Sequence, residues 1–482
     1  MMGTQSNIAK NTIFSFLSRF SNVFNFILII IAARYLGDSE YGIFSFALAF
    51  VLIFELFVDL GLRQNLVREV SRYKNKAKYY LGNIITIKIV LSFIVFCTIA
   101  LLINISGKSP TVKMAVYVLG LSTIVKSFQL IFRSLFQAFG HFELEAFSEY
   151  VEKISIFILG IAILQFGHGI IVFSFVFLLA RVLNLIMLIL LTLKKIHVIP
   201  KLKFTFPLWI ELIKKSFPFA ISSILVAIYF YIDTVMLSFM KSDAEVGWYS
   251  AAYRIIEGLV LFPVALCAGI FPSMSIFHLT SKDAVIELFK KANKYMLVTS
   301  IPIAILGTVM SKQIILSLYG NAFFNSIISL KILVWATLFL FLGALTSYVL
   351  ASIDKQWVVV LSTGVGVIVN VLLNLVLIPK YSYIGTSIST VVTEFIVFII
   401  NVFYLYTHGY NALYLKAGIR PLFATTILGI ILFFLKDFNL NFFVIILPTI
   451  VIYIVILSIL RVWSKEELSI FSNLWFNLKK VH

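Results

Sequence analysis

The fold is decided by residues 228–262, which read IYFYIDTVMLSFMKSDAEVGWYSAAYRIIEGLVLF. Apolar residues fill both ends of this stretch, and a short polar turn around Asp243 separates them. Three ionisable residues interrupt the apolar parts, namely Asp233, Arg254 and Glu257. Such a group at the centre of a bilayer costs at least about 2.5–3.5 kcal/mol, so it usually faces a cavity or a partner. The stretch therefore predicts two membrane helices that carry charges with a role.

The composition extends this reading to the whole chain. Of its 482 residues, 61% are hydrophobic and only 12% are charged, whereas soluble chains carry about 25% charged residues. The polar surface is too small to cover a soluble globule, so most of the solvent must be lipid. The net charge of +18 is then interpreted as the lysine and arginine excess of cytoplasmic loops, and not as a nucleic-acid footprint.

The two cysteines and the N-terminus bear on redox chemistry and on processing. Cys97 and Cys267 both lie in apolar runs, so neither a disulfide nor a cysteine metal site is expected. The N-terminus lacks a signal-peptide cleavage pattern, and we expect the first apolar run to stay in the mature protein.

Apolar runs long enough to cross a bilayer recur along the chain. A spanning helix needs about 20 mostly apolar residues, and the runs are continuous, without the alternation of β-barrel strands. We predict an all-α polytopic membrane protein with about fourteen spanning segments. They lie near 12–33, 42–62, 81–104, 113–138, 147–166, 170–193, 212–239, 246–273, 293–311, 327–350, 357–378, 384–406, 417–435 and 440–460.

Loop charges predict the orientation of these segments. Lysine and arginine concentrate in loops 2–3, 6–7 and 8–9 and in the tail, which share one side if fourteen spans alternate. Both termini are therefore expected in the cytoplasm. Loop 4–5 is acidic yet falls on the same side, with His141, Glu143, Glu145, Glu149, Glu152 and Lys153. The outer loops are all short, which leaves no room there for a catalytic domain.

The opening stretch has an earlier counterpart. RYLGDSEYGIFSFA (34–47) aligns with SFMKSDAEVGWYSAA (238–252), so that Glu40, Gly42 and Ser45 fall on Glu245, Gly247 and Ser250, at one offset of 205. A second similarity joins 135–147 and 349–360. Because six spans separate the copies, both have the same orientation, as in transporters with parallel repeats. We predict an N-terminal lobe at 1–205, a C-terminal lobe at 206–410, and two extra helices with a tail at 411–482.

Ionisable residues inside the segments are the candidate functional groups. They are Arg19, Glu55, Asp59, Lys88, Lys126, Arg133, Arg181, Asp233, Arg254, Glu257, Lys331 and Glu394. If several of these cations meet in one cavity, they would attract phosphate or pyrophosphate, where arginine gives bidentate bonds and lysine a point charge.

Simpler roles are open for several of these residues. Arg19 and Lys331 can snorkel to an interface, and Asp59 can pair with Arg63. Arg254 and Glu257 are spaced for an intrahelical pair. Glu55 can pair with a cation of a neighbouring helix, and Arg181 can neutralise Glu55 or another acid.

Standard enzyme signals are absent from the sequence. It contains no HExxH, GxSxG or P-loop motif and no paired cysteines, and its six histidines are scattered. We therefore predict no catalytic residues, no metal site and a transporter in place of an enzyme.

Three stretches carry a resemblance to a known family. Residues 232–255, 370–395 and 32–47 resemble the segment 7–8, 11–12 and 1–2 signatures of Wzx-type polysaccharide flippases. These belong to the multidrug/oligosaccharidyl-lipid/polysaccharide (MOP, MATE-like) exporter superfamily. One departure follows Pro379, where the family often has Tyr-Gly and this chain has Lys380-Tyr381-Ser382-Tyr383.

The resemblance implies two six-helix lobes around a cationic cavity that takes an undecaprenyl-pyrophosphate-linked glycan for O-antigen or capsule. Arg19 and Arg254 stand where family members tend to carry cavity cations, and with Lys126 and Arg181 they are the expected head-group ligands. Coupling to H⁺ or Na⁺, or pairing between lobes, is assigned to Glu55, Asp233, Glu257 and Glu394.

The resemblance also implies a bacterial cytoplasmic (inner) membrane location and no further cofactor. The implied partners are the lipid-linked glycan, the bilayer and the machinery of polymerisation and chain length, with no nucleic acid.

Two other functions stay open on the sequence. A MATE-like drug or cation antiporter would need a cavity dominated by acids, against which Arg19, Lys126, Arg181 and Arg254 argue. A membrane glycan polymerase or ligase would need a sizeable outer loop with catalytic groups, which the predicted topology lacks.

Overall fold

Long apolar helices make up most of the chain in a computed structural model that describes residues 21–199, 201–411, 415–435 and 442–462. In chain order they are α1 Asn22–Asp59, α2 Leu62–Arg72, α3 Ala77–Ile105, α4 Pro110–Phe139, α5 Phe142–Gln165, α6 Ile170–Leu191, α7 Phe206–Met240, α8 Asp243–Thr280, α9 Lys282–Val309, α10 Ser311–Tyr319, α11 Ser326–Leu333, α12 Ala336–Ser352, α13 Gln356–Thr407, α14 Ile419–Leu435 and α15 Phe442–Ile459. The described residues contain no strand. A helix satisfies its own backbone hydrogen bonds, which is what a chain in lipid requires.

The all-α polytopic class predicted from the sequence is confirmed. Ten stretches of the described residues are long and apolar enough to cross a membrane. Each of the fourteen predicted segments lies wholly or partly on a helix.

Two of these stretches each hold a pair of predicted segments. Gly37, at φ 77°, interrupts α1 between segments 1 and 2. Ser382, at φ 51° and ψ −134°, interrupts α13 between segments 11 and 12, three residues after Pro379. In each of these two helices, a single residue outside helical geometry thus changes the direction of the helix without a loop.

The described residues fall into two compact units. The first comprises those of Met1–Ala251 and Val367–Thr386, and the second those of Ala252–Gly366 and Ser387–His482. The division of the chain at 205 and 410 stays a prediction.

The first unit has an apolar core built by α2, α3, α4, α6 and α7. Leu66, Leu81, Phe132, Phe136 and Leu212 are among its buried side chains. The short helix α2 is amphipathic and adds Leu62, Leu66 and Val70 to this core from its buried face.

The segment that leads into α7 is fixed to the start of α3. The Lys203 N–H donates to the Gly82 carbonyl at 3.4 Å. Asn83 Oδ1 accepts from the Thr205 N–H at 3.0 Å and from Trp209 Nε1 at 3.3 Å. A Cβ at residue 82 would lie 2.1 Å from the Lys201 carbonyl oxygen, so glycine permits this approach. We call residues 201–205 the strap.

The second unit has its own core around α12. Phe341, Leu345 and Val349 of α12 pack with Met296 of α9 and Cys267 of α8. A smaller cluster joins Val298 of α9 to Leu428 of α14 and Leu457 of α15, and the Tyr453 hydroxyl donates to the Val298 carbonyl at 2.8 Å. The two C-terminal helices therefore belong to the packing of this unit.

Candidate functional site

Two glycine turns of the predicted repeat cross each other within the first unit. A Cβ at residue 42 would lie 1.7 Å from the Asp243 carbonyl oxygen, and one at residue 247 would lie 2.0 Å from that of Asp38. Trp248 Nε1 also donates to Asp38 Oδ2 at 2.8 Å. Each glycine lets its turn approach the aspartate of the other copy. We call the contact between 38–42 and 243–247 the glycine crossing.

Lys108, in the loop between α3 and α4, fastens the crossing from one side. Its Nζ donates to the Ser238 carbonyl in the last turn of α7 and lies 4.0 Å from Asp243 Oδ1. The ammonium also lies 5.3 Å from the centre of the Phe46 ring. Burial lowers the pKa of Lys108 below its ordinary 10.5, and the nearby Asp243 carboxylate opposes this effect.

The matching glutamates of the two copies make matching contacts. Glu40 Oε2 accepts from the Ile170 N–H at 2.9 Å, at the N-terminus of α6. Glu245 Oε1 accepts from the Ser382 hydroxyl, at the break within α13. Each glutamate thus holds the break between the last two segments of one copy, and anions are stabilised at helix N-termini.

Ion pairs join α1 to α3 and α4 deeper in the unit. Lys126 Nζ lies 3.0 Å from Glu55 Oε1 and 3.1 Å from Oε2. Lys88 Nζ lies 2.8 Å from Asp59 Oδ1 and donates to the Ser127 carbonyl. The structure therefore pairs Glu55 with a cation of a neighbouring helix, and it pairs Asp59 with Lys88 where the sequence suggested Arg63.

A buried cluster ties α4, α5 and α6 around Glu152, which is 2% exposed. Arg133 Nη2 lies 2.6 Å from Glu152 Oε2, and Arg181 Nε lies 3.4 Å from Oε1. Ser148 and Asn184 accept further bonds from Arg133. We call Arg133, Ser148, Glu152, Arg181 and Asn184 the Glu152 cluster. It carries two positive charges and one negative charge.

The sequence did not single out Glu152. It was grouped with the acidic loop 4–5, whereas α5 begins at Phe142 and carries Glu152 about three turns into the helix. The signal that could have found it was the presence of Arg133 and Arg181 in neighbouring apolar runs, because buried arginines need an acid.

A second polar site surrounds Asp233, which is 3% exposed. Its carboxylate accepts from the Tyr249 hydroxyl at 2.9 Å and from Asn374 Nδ2 at 2.5 Å. Asn374 Nδ2 also donates to Asn370 Oδ1 at 3.0 Å. Asn374 Oδ1 is buried and accepts no hydrogen bond from the described residues. A carboxylate with amide oxygens is a donor set for a hard cation or a proton.

The remaining described candidates, Arg254, Glu257, Lys331 and Glu394, belong to the second unit. Arg254 Nη1 lies 2.7 Å from Glu257 Oε2 on one face of α8, with about a quarter of each side chain exposed. Glu394 is buried in α13, and Lys331 is exposed on α11. Arg19 lies outside the described residues. Within the described part of the chain, no group of three His, Cys, Asp or Glu residues could hold a metal.

The second unit also contains an apolar cavity of about 980 Å³. Helices α8, α9, α10, α11 and α15 line it with residues that include Leu259, Phe262, Leu306, Ile314 and Ile450. Thr299, Thr449 and Ser458 are its few polar lining residues. Such a cavity suits a hydrocarbon chain.

The helices, repeat-related turns and intramembrane charges define a polytopic membrane protein of the exporter type. The chain belongs to the family described as "Polysaccharide biosynthesis protein", whose sequence profile matches residues 8–278. The MatE profile matches residues 218–376. The MOP superfamily recognised from the sequence is thereby confirmed.

Two curated relatives come from Haloferax volcanii. "Probable flippase AglR" is 28% identical over 169 residues, which are 34% of this chain and 35% of the relative. "Probable low-salt glycan biosynthesis flippase Agl15" is 23% identical over 186 residues, 38% of this chain and 39% of the relative. The matched part thus spans little more than a third of each relative.

A solved structure shares the fold over most of its length. "Lipid II flippase MurJ, inward closed conformation" has a TM-score of 0.76 and 17% identity, and the match covers 93% of this chain and 98% of that one. At this identity the likeness shows the fold.

Proposed function

We propose that this protein is a flippase that moves a lipid-linked oligosaccharide across the membrane. One observation carries the proposal, which is the surplus of positive charge where α1, α3, α4, α5 and α6 pack in the first unit. Five cations, Lys88, Lys126, Arg133, Lys153 and Arg181, accompany four acids there, Glu55, Asp59, Glu149 and Glu152. Since unbalanced charge inside a membrane is costly, the surplus favours an anionic substrate. The similarity to AglR, Agl15 and MurJ, each of which is named a flippase, supports the same class.

The finer proposal follows the resemblance described above. The substrate is an undecaprenyl-pyrophosphate-linked repeat unit of O-antigen or capsule, in a bacterial cytoplasmic membrane with both termini inside. Arg19, Lys126 and Arg254 bind the head group, Arg181 adds its positive charge from the Glu152 cluster, and the glycan passes to polymerisation machinery on the outer face. The apolar cavity of the second unit offers a place for part of the lipid tail. The protein performs no covalent chemistry in this scheme.

Transport proceeds by alternating access, and the glycine crossing supplies a contact that must separate. The crossing is close because two glycines lack side chains, and Lys108 and Trp248 add polar bonds to it. These are a few hydrogen bonds, and each contributes a modest net free energy of about 0.5–1.5 kcal/mol. A contact of this strength can open and close during a transport cycle.

Ion coupling is assigned first to Asp233. A buried carboxylate beside an amide oxygen that accepts no bond from the described residues can take up a proton or Na⁺. Glu55, Glu257 and Glu394 are further candidates, although Glu55 and Glu257 each hold an ion pair.

The decisive experiment deletes the gene and follows lipid-linked repeat units in the host. We expect repeat units to accumulate on the cytoplasmic face and to disappear from the outer face, and the intact gene should restore them. Repeat units that reach the outer face in the deletion strain but stay unpolymerised would reject flipping.

A second candidate function is a MATE-like cation antiporter, favoured by the MatE match and by Asp233. It predicts that deletion sensitises cells to cationic drugs while surface glycan is unchanged. The glycan proposal predicts the reverse of both results, so one strain distinguishes the two functions.

A further inference from the structure

Lys153 is a cation of α5 that takes part in none of the ion pairs described for the first unit. Its neighbour in sequence, Glu152, is the nearest acid by electrostatic effect, and Lys126 and Arg181 lie close enough to repel it. Among the described residues, Lys153 makes no hydrogen bond or ion pair. A lysine ammonium carries three donors, so an unpaired one inside a helix bundle needs an explanation.

The neighbouring acids are already committed to other cations. Arg133 and Arg181 approach different oxygens of Glu152. Lys126 Nζ lies within 3.1 Å of both oxygens of Glu55. Neither of these two carboxylates is therefore left to neutralise Lys153, and Glu149, one turn earlier on α5, attracts it without forming an ion pair among the described residues.

Accessibility separates Lys153 and Lys126 from the other cations. Lys88 is fully buried, and the side chains of Arg133 and Arg181 are 8% and 10% exposed. The Lys126 side chain is 29% exposed, and Lys153 is partly exposed. The two lysines can therefore be reached from outside the protein, while the arginines behind them supply a fixed positive field.

We propose that Lys153, with Lys126 beside it, binds a phosphoryl group of the substrate. This inference rests on the proposed function and adds to it a residue that the sequence had placed in a cytoplasmic loop. Lys126 stays partly neutralised by Glu55, so Lys153 provides the larger share of the attraction. The Glu152 cluster acts through its net charge and holds α4, α5 and α6 in place around the two lysines.

The test measures binding of farnesyl pyrophosphate to the full-length protein in nanodiscs of phosphatidylcholine, with farnesol and inorganic pyrophosphate as companion probes. Lys153→Gln should weaken farnesyl pyrophosphate binding about tenfold, as expected for one charge-assisted bond. Lys153→Arg should stay within about threefold of the wild type, because it keeps the charge. Glu55→Gln should strengthen binding, since it releases Lys126.

The matched control is Lys113→Gln, which removes a partly exposed lysine near the N-terminus of α4, where Nζ lies 3.4 Å from the Asn104 carbonyl oxygen. It should bind the probe as the wild type does. Equal binding by wild type and Lys153→Gln, at equal thermal midpoints, would overturn the role of Lys153. If Lys153→Gln does not fold, the test uses the salt dependence of farnesyl pyrophosphate binding by Lys153→Arg. A plot of binding affinity against salt concentration with a slope unlike that of the wild type contradicts simple charge recognition.

The companion probes separate this inference from the proposed function. Wild-type protein that binds farnesol as tightly as farnesyl pyrophosphate recognises no phosphoryl group, and the proposed function then fails with the inference. Selective binding by the wild type with no effect of Lys153→Gln refutes only the inference. Tight binding of inorganic pyrophosphate alone would identify a free phosphate, in place of a lipid head group, as the ligand.

Discussion

Glu152 shows how one residue can determine the electrostatics of several helices. Two arginines from α4 and α6 meet its two oxygens in a site that is 2% exposed. Removing one partner of a buried ion pair typically costs about 3–5 kcal/mol, because the remaining charge is left without compensation. Here the loss would strand two cations at once.

We therefore expect Glu152→Gln to lower the free energy of unfolding by about 3 kcal/mol or more. Glu257→Gln is the comparison, since it breaks an intrahelical pair with about a quarter of each side chain exposed, which is worth about 0.2–0.5 kcal/mol. Denaturation of both variants in the same micelles measures the difference. Equal losses of stability would show that the Glu152 cluster is not a buried structural network.

The candidate residues were predictable where the charge interrupts an apolar run. Glu55, Lys126, Arg181 and Asp233 stood out because each costs energy in a membrane helix. Their partners did not, because pairing such as Lys126 with Glu55 spans 71 positions and depends on helix rotation. Glu152 and Lys153 were missed because the acids that precede them, Glu143, Glu145 and Glu149, made the first turns of α5 look like a loop.

Gly42 gives a second prediction at the level of the residue. An alanine there would place its Cβ 1.7 Å from a backbone oxygen, so Gly42→Ala should destabilise the crossing by about 1–3 kcal/mol as an overpacked contact. Gly343→Ala is the control, since a Cβ at that helical position meets nothing within 4 Å and should stabilise slightly through helix propensity. The midpoint of thermal unfolding should fall for Gly42→Ala and rise slightly for Gly343→Ala. A shift of both midpoints in the same direction would contradict the crossing geometry.

Among the elements, the strap has two of its hydrogen bonds at one side chain. Asn83 receives both the Thr205 N–H and the Trp209 indole, so its loss leaves two donors without their partner. We expect Asn83→Ala to speed tryptic cleavage after Lys201 and Lys203 several-fold, because local opening exposes the strap.

Asn104→Ala serves as the control for the strap, since Asn104 lies near the other end of α3 and bonds to Tyr117. Its cleavage rate at the strap should equal that of the wild type. A strap that is cleaved no faster in Asn83→Ala would show that Gly82 and the backbone bond of Lys203 suffice to hold it.

The break in α13 carries opposing effects at one position. Ser382 has φ 51°, a conformation that favours glycine, and strain of this kind costs about 1–3 kcal/mol. Its hydroxyl also bonds to Glu245, and bonds to charged groups contribute about 1.5–3 kcal/mol. Ser382→Gly loses the hydrogen bond but relieves the backbone strain. Ser382→Ala also loses the hydrogen bond, but it keeps the strain.

Ser382→Gly should therefore be more stable than Ser382→Ala by about 1–3 kcal/mol. The two variants are matched, because both remove the hydroxyl. Their thermal midpoints in one detergent give the answer, and an alanine variant equal to the glycine variant would mean that residue 382 is not strained.

Helix positions were predicted well from apolar runs, but the connections between consecutive helices were not. The sequence showed breakers near Gly37 and Pro379, yet it could not show that the helix resumes after one non-helical residue. That outcome depends on contacts such as the one from Glu245, which come from a part of the chain far from the joint.

At the scale of the whole molecule, composition predicted that lipid is most of the solvent, and the repeat matched the two turns of the crossing without predicting that they touch. The offset of 205 matched Gly42 with Gly247, and these two glycines lie against the opposite aspartates in the first unit. The sequence could not predict that Lys108 would join them, because only the path of α3 and α4 brings this loop to the end of α7.

The last prediction tests whether the crossing opens during transport. Lys108 Nζ lies 4.0 Å from Asp243 Oδ1, so a water-soluble carbodiimide should join them as an amide with loss of water. The pKa of Lys108 is lowered by burial, so a larger fraction is neutral and nucleophilic at a given pH than for an ordinary lysine. Cross-linking should therefore be favoured at Lys108 over Lys113, as mass spectrometry of the peptides can show.

If the crossing must separate, the cross-linked protein should lose transport of lipid-linked oligosaccharide in proteoliposomes in proportion to the yield of the amide. Lys108→Arg is the control, because arginine keeps the charge but does not form this amide, and its treated form should stay active. Full transport by the cross-linked wild type would show that the crossing is a permanent joint, and alternating access would then have to occur without separating these two turns.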